Sequence, residues 1–267
     1  MPLRDAECLS MDAAGRRGLY RMAYNGSVFY VQIHPSTNLD DDDFAFVPAI
    51  RKILTPPPAG ANWAAIRNGN QVDWTHKVLR GVSNCWHPKN INIRELQPIR
   101  YFSPRTCKVL YDGQPAFAKI ARFEYEIPWI ERETLIYRII ENQLIGPRFL
   151  GHLSEEGRVI GVLLEYLSDT HWGTLEDLGV CLDVLRRLHK VNVLHKDVNR
   201  YNFMVREGCC WICDFEDSEI DVNDERLEKE EESLTTTLHD NFREDEDDWS
   251  SYGQQRLAQA RPGEYRL

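Results

Sequence analysis

The chain has 267 residues, 42% of them hydrophobic, and a formal net charge of −10. That length supports one large or two modest domains with a buried core, and that composition excludes a disordered or fibrous chain. Thirteen acids between 221 and 248 face only Arg226, Lys229 and Arg243, so the imbalance is local and an anionic partner for the remaining core is not excluded.

The opening stretch, "MPLRDAECLSMDAAGRRG", has no apolar core of the kind a secretory signal needs. The longest apolar run, about "VIGVLLEYL", falls far short of the ~20 residues that span a bilayer. A cytoplasmic protein with no membrane partner is the expectation. The seven cysteines are an odd number without a framework, and in that compartment they read as reduced thiols.

Residues 1–95 contain "NLDDDDF", "TPPPAGANW" and several tryptophans. The Pro-Pro-Pro run with a nearby Gly argues for an irregular connector. Short strands and one or two helices are expected around it. No internal repeat is visible.

From 96 the pattern sharpens. "TCKVLYDGQPAFAKIARF" reads as two strands turning at Asp112-Gly113. "PWIERETLIYRIIEN" reads as a helix. Pro128 suits its first turn, and Ile130, Thr134, Tyr137 and Ile140 share one face. "RFLGHLSEEGRVIGVLLEYL" is a second hairpin, turning at Glu156-Gly157. "TLEDLGVCLDVLRRLHK" is a further helix, with Thr174 and Asp177 as a capping pair and Leu178, Leu182, Leu185 and His189 at helical spacing.

A polar loop, "HKDVNRYNF" at 195–203, follows. After it come the strand-like "CCWICDF" and the acidic turn "DFE" at 214–216. Cys210 and Cys213 form a C-x-x-C, but residues three apart in a strand face opposite ways. That pair can neither chelate one ion nor bridge. The acidic segment beyond 220 reads as a solvated helix face plus a flexible tail. Deleting 240–267 is expected to leave the core folded.

This order, hairpin, helix, hairpin, connector, helix, polar loop, strand and acidic turn, resembles the protein-kinase-like fold. The likeness is to the compact style of aminoglycoside phosphotransferases and choline kinases. It is nearer still to a group of fungal kinase-like proteins that share "AKIARFEYEIPWIERET", "GPRFLGHLSEEGRVIG", "LHKDVNRYNF" and "DFE". The resemblance covers roughly 100–220. It implies an α+β, bilobal, kinase-like fold: an N-terminal extension (1–95), a small sheet-and-helix lobe (96–168) and a reduced helical lobe (169–267) with the acidic segment at its end. A cleft between the lobes would bring Lys119 and Asp214 together.

Phosphoryl transfer asks little covalent chemistry of a protein. It needs a base near the acceptor, a cation on the nucleotide phosphates and metal ions to neutralise charge. The resemblance implies Asp197 as the base, Asn202 and Asp214 as magnesium ligands, Lys119 as the phosphate ligand and Glu133 as its orienter, with Glu131 as second choice. ATP and magnesium are the implied cofactors, and Glu216 joins the nucleotide-binding set. Lys196 stands where related sequences often carry Gly; it would bind a phosphate or occupy the acceptor site beside Asp197. His195 reads as a structural brace of the loop. His152 and His189 read as satisfied core or surface residues, and Tyr201 as a packing residue.

The sequence also departs from the family. No Gly-rich loop precedes Lys119, where Ser103, Pro104 and Arg105 stand instead. No "APE" follows "DFE", so a peptide-substrate platform is not expected. Three readings follow. One is an ATP- and magnesium-dependent phosphotransferase acting on a small-molecule hydroxyl or amine. The second, implied by the fungal likeness, is a tRNA-dependent, arginine-containing cyclodipeptide synthase. It would use no cofactor and take aminoacyl-tRNA substrates, with Asp197, Asp214 and Glu216 gripping a guanidinium. The third is a kinase-like binding module without catalysis. None calls for DNA.

Overall fold

Extended, β-rich segments in the first 75 residues pair into one sheet. In the computed structural model, which describes residues 3, 5–14 and 16–239, these are β1 (Glu7–Ala14), β2 (Arg17–Tyr24), β3 (Ser27–Ile33), β4 (Trp63–Arg67) and β5 (Gln71–Thr75). They lie in that order across a five-stranded sheet. Asn25 and Gly26 both take positive φ between β2 and β3, the backbone that a two-residue hairpin turn demands. β4 runs parallel to β3, which requires a crossover. The crossover carries the short helix α1 (Val47–Ile53) and the irregular Pro-Pro-Pro stretch. Tyr20, Met22, Phe29, Phe44, Ile50 and Ile66 fill the core beneath.

A second sheet follows: β6 (Asn90–Asn92), β7 (Gln97–Ser103), β8 (Thr106–Tyr111), β9 (Gln114–Ile120), β10 (Phe149–Glu155) and β11 (Arg158–Glu165). Its order is β6-β10-β11-β9-β8-β7. Both hairpin turns fall where the sequence places them, with positive φ at Asp112-Gly113 and Glu156-Gly157. Helix α2 (Ile127–Ile139) connects β9 to β10, with its Pro in the first turn. It buries Ile130, Thr134 and Tyr137.

The two sheets meet through buried charge. Arg21 of β2 donates its Nε to Glu155 Oε2 at 2.8 Å and also pairs through Nη2. Tyr30 donates to the other oxygen, Oε1, at 2.8 Å, and Arg158 reaches both Tyr30 and Glu155. Arg21 and Glu155 are 5% and 2% exposed, so neither can fall back on water.

The last third holds β12 (His171–Trp172), α3 (Leu178–Lys190), β13 (Val193–Leu194), β14 (Phe203–Arg206), β15 (Cys209–Ile212), β16 (Glu219–Ile220) and α4 (Asp224–His239). Thr174 and Asp177 form the expected capping box ahead of α3. The helix turns its face slightly from the sequence reading. Cys181, Val184, Leu185, Leu188 and His189 are buried, while Leu178 and Leu182 are only partly covered. One apolar core joins α2, β11, α3, β15 and α4. The chain is thus mixed α+β. Among the described residues no helix is long and apolar enough to cross a membrane.

The acidic segment needs one correction. Helix α4 does show a solvated face, but it also buries Leu227, Glu230, Leu234 and Leu238. Glu230 is therefore not a surface charge. The tail 240–267, with the expectation that it is dispensable, lies outside the described residues.

His152 on β10 is 1% exposed, among Trp86 and Phe149. Its Nε2 accepts from the His87 N–H at 3.2 Å. Burial, with His87 adding to it, pulls its pKa from 6.5 down to about 4. The unfolded chain therefore binds a proton that the folded one refuses between those values. Stability is held above pH 6.5 and falls as the pH drops toward 4, by up to about 3 kcal/mol from this group. Chemical denaturation across that range should show the slope, and His152→Gln should flatten it. An unchanged slope would assign the acid sensitivity elsewhere.

Candidate active site

Lys119 sits on β9, paired with Thr106 on one side and Val162 on the other. The neighbouring strand must come very close here. A Cβ on Gly161 of β11 would lie 2.4 Å from the Lys119 carbonyl oxygen, so only glycine permits this approach. The start of α2 is fixed just downstream. Glu126 accepts from the Arg122 N–H at 2.5 Å and from the Arg122 guanidinium at 2.6 Å, and it is fully buried. Two turns later the same helix presents Glu133 to the sheet.

The Lys119 ammonium meets three carboxylates. Its Nζ lies 2.7 Å from Glu133 Oε2, 2.7 Å from Asp214 Oδ1 and 3.0 Å from Glu216 Oε2. Glu133 Oε2 makes no aligned hydrogen bond, so its contact with Lys119 is ionic. Burial opposes the charge on Lys119, but Asp214, Glu133 and Glu216 outweigh it and hold the pKa above the ordinary lysine value. Burial first, and then repulsion from Asp214 and Glu216, pushes the Glu133 carboxyl up to about 7 against the pull of Lys119. Glu216 is held below its usual range, because Lys119 and Arg105 outweigh the cost of burial and the repulsion of Asp214.

Arg105 enters from the turn between β7 and β8. Its Nη1 is 3.0 Å from Glu216 Oε2, its Nε donates to the Ile120 carbonyl at 3.3 Å, and its guanidinium lies 4.8 Å over the Trp129 ring.

The loop 195–203 is stitched to the same place through Cys213. The Cys213 N–H donates to the Asn202 carbonyl at 3.0 Å, and the His195 ring contacts the Cys213 carbonyl through Nε2 at 3.0 Å. A carbonyl only accepts, so Nε2 carries the proton and Nδ1 is left to accept from the Asp197 N–H at 3.3 Å. His195 is thus a brace. Asn202 donates its amide to Asp197 Oδ2 at 3.1 Å and to the Asp197 carbonyl at 2.8 Å; Asn199 donates to Oδ1 at 3.1 Å. Phe215, fully buried, packs edge-on against Tyr137 of α2 and ties the "DFE" turn to that helix.

The cluster therefore unites Lys119, Glu133, Asp214 and Glu216, with Asp197 and Asn202 joined to each other on the adjoining loop. Lys196 goes elsewhere: at a φ of +69° its Nζ pairs with Glu219 at 2.7 Å. Glu131 also stands apart, accepting from the Ser83 and Asn84 N–H groups. Cys210 and Cys213 diverge as expected, Cys210 Sγ facing Cys181 Sγ at 3.8 Å and Cys213 Sγ facing the Asn202 carbonyl. A groove of about 330 Å³ lined by Arg132, Ser218, Glu219, Val222 and Arg226 shares no residue with the Lys119 cluster.

Two functional supports escaped the sequence reading. Gly161 is one. Glu230 is the other: its carboxylate accepts from the His195 N–H at 3.0 Å, the Lys196 N–H at 2.6 Å and His189 Nε2 at 2.7 Å. The signal for Glu230 was its helical spacing with Leu227, Leu234 and Leu238, which sets it on the apolar face.

No family model and no curated protein sequence matches the chain.

Proposed function

We propose that this chain is an ATP- and magnesium-dependent phosphotransferase on a kinase-like scaffold, acting on a small-molecule hydroxyl or amine. The observation that carries the reading is the Lys119 ammonium at 2.7 Å from both Glu133 and Asp214, with the Asp197–Asn202 pair stitched beside it through Cys213. The sheet that carries the lysine supports the reading: β9 lies between β8 and β11, and α2 packs on that sheet. A cleft that must hold a triphosphate needs a fixed cation, an orienting carboxylate and a metal-binding carboxylate at one point.

The residues fit a divalent cation in part. Glu133, Asp214 and Glu216 offer oxygens within 4.8 Å of one another, but Lys119 already stands among them. Three carboxylates against Lys119 and Arg105 leave this cluster one negative charge in excess, and that crowding adds to burial in raising the Glu133 pKa. Magnesium would be held by Asp214, one carboxylate of the triad, together with the Asn202 amide oxygen, and would neutralise phosphate charge. Lys119 would hold phosphate oxygens, with Glu133 fixing its position. Asp197 would take the acceptor's proton on its carboxylate, oriented by Asn199 and Asn202.

One observation favours the second reading. Glu216 already holds a guanidinium, that of Arg105, against an aromatic face. This is the chemistry that an arginine-containing cyclodipeptide synthase would use on its aminoacyl-tRNA substrate.

Thermal melting with ATP and magnesium separates the readings. Ligand at a hundred times its dissociation constant adds about 2.7 kcal/mol, and Asp214→Asn should remove the metal-dependent part of that gain. No shift and no hydrolysis at saturation would end the phosphotransferase reading. Co-purifying tRNA and a cyclic dipeptide mass in a host carrying the protein would then favour the second. Neither result would leave a binding module.

A further inference from the structure

We infer that Arg105 takes the place of a glycine-rich loop, as the second cation that binds the polyphosphate tail of the nucleotide. This rests on the phosphotransferase reading and specifies how that site would recognise phosphate.

A Gly-rich loop binds phosphate by offering backbone N–H groups. The turn between β7 and β8 cannot do so. Its Arg105 and Thr106 N–H groups both donate to Ser103 Oγ at 3.1 Å, and Ser103 Oγ also bonds Thr106 Oγ1 at 2.8 Å. Pro104, between them, has no N–H to give. The turn's donors are spent on itself, so anion binding at this edge of the cleft falls to a side chain.

Arg105 is that side chain. Glu216 Oε2 is shared by two cations, Lys119 Nζ and Arg105 Nη1, each at 3.0 Å. Two like charges this close need an anion between them, and Glu216 supplies one. A phosphate group would bridge the same pair with more charge and more acceptor oxygens. Guanidinium suits the task because its planar fork can take two phosphate oxygens at once. The fork is also held ready: Trp129 supports its face at 4.8 Å, and the Ile120 carbonyl accepts from its Nε. Those two contacts fix the plane, while the Nη groups can exchange Glu216 for an incoming anion. Glu216 is thereby a placeholder for the phosphates.

The test is a calorimetric titration of the full chain and two variants, Arg105→Ala and Arg105→Gln. Probes are ATP with magnesium, inorganic tripolyphosphate with magnesium, and adenosine. Arg105→Gln keeps much of the side chain over Trp129, which guards against a variant that fails to fold; circular dichroism checks both. Losing a charge-assisted phosphate contact should weaken ATP and tripolyphosphate by about tenfold or more. Adenosine should bind all three proteins alike. If the unaltered chain binds ATP and both variants bind it equally well, this inference falls and the phosphotransferase reading stands. Tighter binding in the variants would make Arg105 a plug and would overturn the inference as well. If the unaltered chain binds neither ATP nor tripolyphosphate, both fall together.

Discussion

Replacing Glu155 with alanine is expected to destabilise the protein by about 3–5 kcal/mol, because it strands buried cations. Arg21 would lose both contacts to the carboxylate, and Tyr30 and Arg158 would lose theirs. Arg21 is only 5% exposed, so water cannot replace the lost partner without opening the junction between the sheets. For a chain of this size the melting temperature should fall by roughly 6–15 °C. Adding Arg21→Met to Glu155→Ala should recover part of the loss, since an apolar group no longer needs a partner there. A single variant that melts like the parent would show that the junction is wet or that the sheets do not depend on it.

If the chain is the proposed phosphotransferase, Asp197→Asn should cut ATP turnover by about 10²–10⁴-fold, the range over which a positioned general base contributes. ATP binding should hardly change, because the base acts on the acceptor and not on the nucleotide. The loop should survive at a cost of about 1 kcal/mol. Asn199 and Asn202 each donate to one Asp197 oxygen, and an asparagine keeps one acceptor but turns an NH₂ toward the other donor. Steady-state turnover beside a binding titration reads the two effects separately. Equal turnover in both proteins would remove Asp197 from the base role. Lost binding would mean that the residue holds the nucleotide instead.

The sequence speaks plainly where local chemistry decides. Asp112-Gly113 and Glu156-Gly157 announce their turns because positive φ is costly for most other pairs. Pro128 and the spacing of Ile130, Thr134 and Tyr137 announce α2. Once those elements are in order, Lys119, Glu133 and Asp214 are forced toward one another, and the motif spacing shows it. Other features turn on distant partners. Lys196 is rotated by a positive φ toward Glu219, which Arg226 also holds at 2.6 Å, and nothing near position 196 specifies that. Arg105 depends on Trp129 of α2 and on Glu216, 111 residues away. Glu230 hides in a run of five charged residues, Glu228–Glu232, where composition says water and only helical phase says core. Residues 1–95 resist for another reason. β3 is buried along nearly its whole length, so the alternation that marks a half-exposed strand is missing.

Glu230 also sets an order of events in synthesis. It lies 35 residues after His195, on the last helix described, yet it accepts from the His195 and Lys196 N–H groups at the head of the 195–203 loop. Chains fold largely from the N-terminal end as they are made. A nascent chain ending at residue 223 already holds the lysine strand, the Glu133 helix, the loop and the "DFE" turn. What it lacks is the carboxylate that accepts from two backbone donors, which must turn to water until α4 supplies it. The ribosome thus delivers every motif before it delivers the clasp, and the 195–203 loop gains its Glu230 anchor only when α4 has docked.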